Sequence, residues 1–396
     1  MGAKDQHSFI NLIVEAVRKA DPSAKIVVAE SEFFIEVGTT SMHLGNVYRY
    51  WLAATIFKRR SVIDRYVAGF LETSRQTPIA REEAFATVVP VVRTRALVES
   101  ILRSKYTDQQ LPDPAWRPLG SHFAAMLVLD QPNTMKFVTA DEIVAWNTTF
   151  EDLYSHGRQG LVATLSPSGF KEVRSGVFRS TYDNDYDTSA VFAPGVLRQL
   201  RINGDPIVAP GGRNTLLVCG SQDERAIGEI VREAIAAQSS DPSPMSARLL
   251  LLDGFTWVDY QPEVSHPAFH TAARACYEHQ GHAYAEQRGF MDEVFIRCET
   301  RDVYVAPYRV FDTGDDVFSL TLWVPDLTDT LIPHADRIEV SRHLDDKSFV
   351  VTAETLLEIC GHHLTDTGDY PPRWNATTSP SAQEYDRLEA RRIDAR

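Results

Sequence analysis

Phe9, Ile10, Ile13, Ala16, Val17 and Ala20 recur at intervals of three and four, which predicts an amphipathic helix ended by Asp21-Pro22. Ile26–Ala29 and 32–37 are rich in β-branched and aromatic residues and read as strands. From Met42 to Leu71 the apolar spacing is helical again, with Leu44, Val47, Tyr48, Trp51, Leu52, Ile56, Ile63, Tyr66, Val67 and Phe70 as its buried stripe. Val88–Val92 carries Pro90, which confines it to a sheet edge or a turn. A helix over 94–104 follows, then a proline-bearing loop over 111–118. Residues 122–129 and 135–138 predict a hairpin.

Three pairings of a hydroxyl residue with a carboxylate three positions on, Thr139/Glu142, Thr148/Glu151 and Ser221/Glu224, mark helix starts. Val177–Tyr182 reads as a strand and 188–201 as a helix. Residues 206–209 and 215–219 form a second predicted hairpin around Pro210-Gly-Gly-Arg-Asn214. Asp241-Pro-Ser-Pro244 breaks the pattern and is the expected linker. Strands at 248–252 and 256–260 and a helix over 266–287 come next. Strands are then predicted at 294–299, 302–310, 317–324 and 337–340, with a helix at Ala353–Cys360. Phe318, Leu320, Leu322 and Val324 alternate with Ser319, Thr321 and Trp323, the period of a half-buried antiparallel strand.

The expected class is α+β, with mixed and antiparallel sheets packed by helices. Residues 1–245 form one expected domain and 246–365 an acidic second one with an antiparallel sheet. Residues 366–396 complete the chain as a Pro/Ser/Thr-rich linker and a charged helical tail.

At 396 residues the chain exceeds one ordinary core, which favours two domains. Its longest apolar run, Phe123–Leu129, is far below the ~20 residues of a membrane-spanning helix. No apolar leader precedes the first helix, so export is not expected. Cys219, Cys276, Cys298 and Cys360 show no CxxC spacing and fit a reducing compartment, here the cytoplasm. The net charge of −14 is uneven: residues 261–396 hold 24 Asp and Glu against 13 Lys and Arg. A polyanion would be repelled there, and the one dense basic cluster, Lys58-Arg59-Arg60, is short, so nucleic acid is not an expected partner.

Three passages resemble the YtpQ-like family of bacterial proteins, whose domain has no known function. They are Met42-His-Leu-Gly-Asn-Val-Tyr48, Pro90-Val-Val-Arg93, and the stretch from Tyr182-Asp-Asn-Asp-Tyr-Asp-Thr-Ser189 through Gly204-Asp-Pro-Ile-Val and Arg213-Asn214 to Leu216-Leu-Val218. The resemblance covers about residues 9–250 and implies a fold but no active-site residues. Asn214 stands where the family resemblance would put an acidic residue beside Arg213.

Candidate chemistry is sparse. Asp183, Asp185 and Asp187 open like a calcium loop, but Thr188 and Pro194 fall where glycine and glutamate are needed, so a turn capping the next helix is the simpler reading. His266 and His270 are four apart, a spacing that lets two imidazoles share a metal on one helical face. His279 lies nine residues beyond His270, ~13 Å along a helix, so it cannot join them. Cys219 precedes a helix start that would lower its thiol pKa, with His122 or His156 as a base reachable only through the fold. Arg213, in the glycine-bearing turn, can clamp an anion, although the hairpin alone explains the glycines through positive φ. Tyr385 and Leu388 form an apolar stripe on the charged tail that could meet a partner or fold back on its own domain.

No residue set is forced by its spacing to converge on a reacting atom. The leading expectation is therefore a non-catalytic protein-binding, assembly or regulatory protein of a bacterial cytoplasm, without a metal or cofactor and compatible with self-association. The alternatives are a hydrolase built around Asp183–Asp187 and Arg213, and a component of a bacterial defence or toxin-immunity module.

Overall fold

The computed structural model describes residues 3–29, 33–37, 40–74, 78–107, 110–131, 135–182, 184, 186–241, 243–297, 303–324, 329–341 and 348–393. The first 74 residues make a small α+β unit. It runs α1 (Ala3–Ala20), β1 (Ile26–Ala29), β2 (Phe34–Val37), β3 (Thr40–His43), α2 (Gly45–Ala53) and α3 (Arg59–Ser74). The strands form an antiparallel sheet in the order β1-β2-β3. Phe9, Ile13 and Val17 of α1 pack with Ile35, Met42, Leu44 and Ile63 in a core of their own. The single helix expected over 42–71 is a strand and two helices. The interruption at Ala54–Lys58 turns Ile56 and Phe57 out, 79% and 97% exposed, because apolar spacing alone does not report a reversal of chain direction.

The central region runs α4 (Arg81–Thr87), β4 (Val88–Thr94), α5 (Arg95–Arg103), β5 (Trp116–Leu119), β6 (Phe123–Asp130), β7 (Met135–Phe137), α6 (Ala140–Ala145) and α7 (Phe150–Thr164). It continues through β8 (Phe170–Arg174), β9 (Val177–Ser180), α8 (Pro194–Leu197), β10 (Pro206–Gly212), β11 (Thr215–Gly220), α9 (Glu224–Ser240), β12 (Leu249–Asp253), β13 (Thr256–Tyr260) and α10 (Phe269–Arg297). A smaller sheet has the order β4-β6-β5, with β7 also on β6, and a six-stranded sheet the order β13-β12-β10-β11-β9-β8. Pro90 sits on β4, an edge strand, where its missing N–H costs no ladder bond.

The unbroken apolar run of β6 follows from burial on both faces. Phe123, Ala125, Leu127 and Leu129 enter the core between the sheets, and Ala124, Met126 and Val128 pack on the opposite face. β10 and β11 divide in the same way. Val208, Leu216 and Val218 face the inter-sheet core, whereas Ile207, Leu217 and Cys219 face α9. Each such valine, leucine, isoleucine, phenylalanine or methionine stabilises by about 1.5–3 kcal/mol relative to exposure.

The pattern break at Asp241–Pro244 does not end the sheet, because β12 pairs with β10 and β13 with β12 beyond it. The helix expected over 188–201 is a 3₁₀ segment, Asp187–Phe192, followed by the one-turn α8 from Pro194. Thr139 and Glu142 form the expected capping box, but α7 is capped by Thr149 and α9 by Asp223.

The chain then forms β14 (Tyr304–Val305), β15 (Arg309–Asp312), β16 (Val317–Trp323), β17 (Thr330–Pro333), β18 (Arg337–Val340), β19 (Phe349–Thr352), α11 (Ala353–Cys360), β20 (Leu364–Asp366), β21 (Arg373–Ala376) and α12 (Ala382–Ala390). Two mixed sheets result, β14-β17-β21-β20 and β15-β16-β18-β19, with β14/β17 and β16/β18 parallel. The strand expected over 302–310 is two strands in different sheets, divided around Pro307. The segment expected as a strand at 294–299 is helical through Arg297 as the end of α10, and its last two positions lie outside the described residues.

α7 crosses β4 so closely that a Cβ on Gly157 would lie 2.6 Å from the Val88 carbonyl oxygen and 3.2 Å from Pro90 Cδ. Backbone cannot yield as a flexible side chain does. Gly157→Ala is therefore expected to cost about 1–3 kcal/mol through displaced packing, despite its better helix propensity. An unchanged urea midpoint in the alanine variant would show that the crossing is looser than this.

Candidate functional site

Where the first unit meets the central sheets and α10, a groove opens in two lobes of about 660 and 650 Å³. Val47, Tyr50, Arg65 and Tyr66 bring α2 and α3 to the first lobe, and Arg49, Arg93, Phe137, His279 and His282 line the second. Met135, Arg213 and Ser243 line both, so they form the shared wall.

The backbone of Arg213 is fixed from two sides. Its N–H donates to the Ser243 carbonyl at 2.9 Å, and its carbonyl accepts from Thr188 Oγ1 at 3.1 Å. Ser243 in turn shares a 2.8 Å hydrogen bond with the Tyr50 hydroxyl, which ties α2 to the same segment. One guanidinium nitrogen lies 2.8 Å from the Met135 sulfur, a weak acceptor, and the buried Nε has no hydrogen-bond partner among the described residues.

Gly211 and Gly212 have a different job from the one expected of them. Neither is among the residues with positive φ. A Cβ on Gly211 would instead lie 2.8 Å from that of Ala237, and one on Gly212 would overlap the Asp241 side chain, so both glycines admit the C-terminal end of α9.

Arg49, Arg65, Arg93 and Arg213 face the groove against the carboxylates of Asp130 and Glu286. Among the described residues the local excess is positive, on a chain of net charge −14. Arg93 also donates to the Val92 carbonyl at 2.7 Å and stacks over Phe137 at 5.8 Å. Burial, the Arg248 charge and then His282 pull His279 down to about 4, so it is neutral at pH 7.

The expected acidic loop is only partly in view, because Asp183 and Asp185 lie outside the described residues. Asn184 and Tyr186 between them line the first lobe. Asp187 is turned inward and buried, and it accepts from the Tyr182 N–H at 3.0 Å, which makes it the anchor of its own turn.

Cys219 is buried against α9, and burial and then Asp223 both push its thiol up, opposite to what a nucleophile needs. His156 lies edge-on to Phe85, and His122 hydrogen-bonds the Tyr370 hydroxyl at 3.0 Å. Cys276 and Cys360 are likewise unpaired, and Cys298 lies outside the described residues.

His266 precedes α10 rather than standing on its face. Its Nδ1 accepts from the Ala268 N–H at 3.0 Å, which leaves Nε2–H to donate to the Glu224 carbonyl at 2.9 Å. His270 Nε2 lies 3.1 Å from Asp312 Oδ1, while Arg274 holds the other oxygen at 2.9 Å. The two imidazoles therefore serve different partners, and the helical spacing expected to join them does not exist.

Tyr385 and Leu388 are buried in the C-terminal core beside Leu356 and Ile359, so the stripe expected on the tail packs on its own chain. The basic triplet stays outside the groove lining as well: Arg59 stacks on Trp51 at 4.3 Å and Arg60 pairs with Asp64 at 3.0 Å. Of the groove residues, Arg213 was visible as a candidate because its turn is unusual. Arg49 and Arg65 were not, since they lie on separate helices that only the Ala54–Lys58 reversal brings to one opening. Comparison with protein families, curated proteins and solved structures finds no match to this chain.

Proposed function

We propose that this chain is a non-catalytic binding protein whose groove receives an acidic, extended segment of a partner protein. The observation that carries this reading is Arg213 on the wall between the two lobes, whose guanidinium meets only the Met135 sulfur, a weak acceptor, among the described residues. A carboxylate from a ligand would give that guanidinium the charge-assisted partner that a thioether sulfur does not.

Lobes of about 660 and 650 Å³ that share one wall suit an extended occupant better than one small molecule, whose sites span ~300–1,000 Å³. The lining also has the interface chemistry of arginine, tyrosine and methionine, in Arg65, Tyr50, Tyr66 and Met135. A hydrolytic reading draws no support from Asp187, held by its own turn, or from Cys219, held protonated by burial. A cytoplasmic place is supported by the unpaired Cys219, Cys276 and Cys360.

The test is fluorescence anisotropy with a labelled oligoglutamate peptide and the full chain at low salt. Arg65→Glu combined with Arg213→Glu is expected to weaken binding by about tenfold or more, and added salt to weaken the wild type. Equal affinity of the variant and wild type, or no binding by either, would remove the proposal.

A further inference from the structure

We propose that His362, His363 and Glu384 form a binding site for a divalent transition-metal ion of the zinc class. Their ligand atoms all lie within 4.8 Å of one another, and no other set of three such side chains among the described residues does so. The site is independent of the groove.

The two histidines occupy a 3₁₀ turn, Gly361–His363, directly after α11, and Glu384 is the third residue of α12. Their rings lie 4.0 Å apart, centroid to centroid, and both turn Nε2 toward one carboxylate. His362 Nε2 is 3.2 Å from Oε1 of Glu384, and His363 Nε2 is 3.3 Å from Oε2. Charge-assisted N–H···O bonds settle nearer ~2.7–2.9 Å. Two donors that share a tetrahedral zinc at ~2.0–2.1 Å are instead about 3.3 Å apart, the edge of the tetrahedron. The 3.2 Å between His362 Nε2 and Oε1 matches a shared cation better than direct contact.

Hydrogen bonding leads to the same assignment. Oε2 of Glu384 already accepts from the Ser381 N–H and hydroxyl, each at 2.7 Å, as the capping box of α12. His363 Nε2 is the third and longest contact on that oxygen, at 3.3 Å. Oε1 remains the oxygen for an ion. His363 Nδ1 lies 2.7 Å from Thr378 Oγ1, the outer partner that orients a metal-ligating imidazole. Two of the three ligands are therefore held in place by their own chain.

Two imidazoles and one carboxylate suit zinc, cobalt or nickel and leave a fourth position for water. An ion there joins the turn after α11 to the first turn of α12.

The experiment is equilibrium dialysis of the chelator-treated full chain against Zn²⁺ with elemental analysis, beside His362→Ala, Glu384→Gln and the control His266→Ala. His362 is exposed, so its removal spares the core, and glutamine keeps the capping box while removing the carboxylate. Wild type and the control should bind one Zn²⁺ that the two test variants bind at least about 100-fold more weakly. Co²⁺ should give a four-coordinate visible absorption in wild type that both test variants lose. Equal zinc uptake by wild type and the test variants, or none by wild type, would overturn the assignment.

Discussion

Arg373→Ala is expected to destabilise the chain by about 3–4 kcal/mol, the largest single-residue effect we anticipate. Arg373 opens β21 and is completely buried, yet its partners are dipoles rather than a carboxylate. Its Nε donates to Gln287 Oε1 at 2.7 Å, and Nη1 to the carbonyls of Ala306 at 2.9 Å and Leu331 at 3.0 Å. The guanidinium also lies over the Tyr284 ring at 5.1 Å. Gln287 and Tyr284 belong to α10 and bond onward to the Pro371 and Pro372 carbonyls at 2.9 and 2.6 Å. One side chain thereby joins the long helix to the sheet that contains β14, β17 and β21.

Burial draws the Arg373 pKa down to about 10, so the group stays charged at pH 7. Truncation leaves a cavity and removes a donor from Gln287 Oε1 and from the Ala306 and Leu331 carbonyls, of which Leu331 keeps the Ala306 N–H. Arg373→Met should cost less, about 2 kcal/mol, because it fills the space and removes only the bonds. Urea unfolding followed by tryptophan fluorescence separates the cases, and an alanine midpoint equal to wild type would disprove the assigned role.

Mild acid should have an effect of similar size. His122 is held down to about 3 by burial, then by the Arg248 charge and His279, and His279 is itself held down to about 4. Unfolded, both take up a proton near their ordinary value of 6.5. Between about pH 6.5 and 4 the unfolded chain therefore binds more protons than the folded one, and stability falls as pH falls. Each histidine contributes about 1.4 kcal/mol per pH unit in that window, or about 2 kcal/mol on going from about pH 7.5 to about pH 5. Carboxylates titrate mostly below this range.

His122→Gln can keep a hydrogen bond to Tyr370 without titrating. It should remove about half of the acid-induced loss, measured as the difference in unfolding free energy between the two pH values. The same loss in the variant and the wild type would mean that His122 already takes up its proton in the folded state.

Arg103 reinforces the region around Tyr370, donating from its guanidinium to the Tyr370 carbonyl, while Ser121 N–H donates to both oxygens of Asp259 at 3.1 and 3.0 Å. The buried histidines therefore sit where segments distant in sequence converge. That placement explains why His122, which the sequence offered only as a base for Cys219, and His279 were not legible as perturbed groups: a histidine is perturbed by what surrounds it, and His122 meets its hydrogen-bond partner across 248 residues.

The local rules worked where one strand or turn contains all the relevant information. Thr139 and Glu142 predicted the start of α6, the apolar pair around Pro210–Asn214 predicted β10 and β11, and alternation around Phe318–Val324 predicted a strand, β16, but not its pairing or its faces, since β18 joins it in parallel and Ser319, Thr321 and Trp323 are buried where Leu320 and Leu322 are only partly so. They failed where a neighbour's distance decides the outcome. Ile56 had helical spacing but no surface to cover it, and His266 and His270 had ligand spacing but separate neighbours, the Glu224 carbonyl and the Asp312 carboxylate.

The α+β class was determined by the sequence alone, because periodicity of apolar residues is a property of consecutive positions. So were most strands and the absence of an apolar stretch long enough to cross a membrane as a helix. Tertiary structure alone decided which charges share a space. Arg49, Arg65, Arg93 and Arg213 reach one groove, and His362 and His363 reach Glu384, through chain reversals that no spacing encodes. Chemistry depends on distances of a few ångströms between side chains, and in a folded chain those distances are set by packing rather than by order along the backbone.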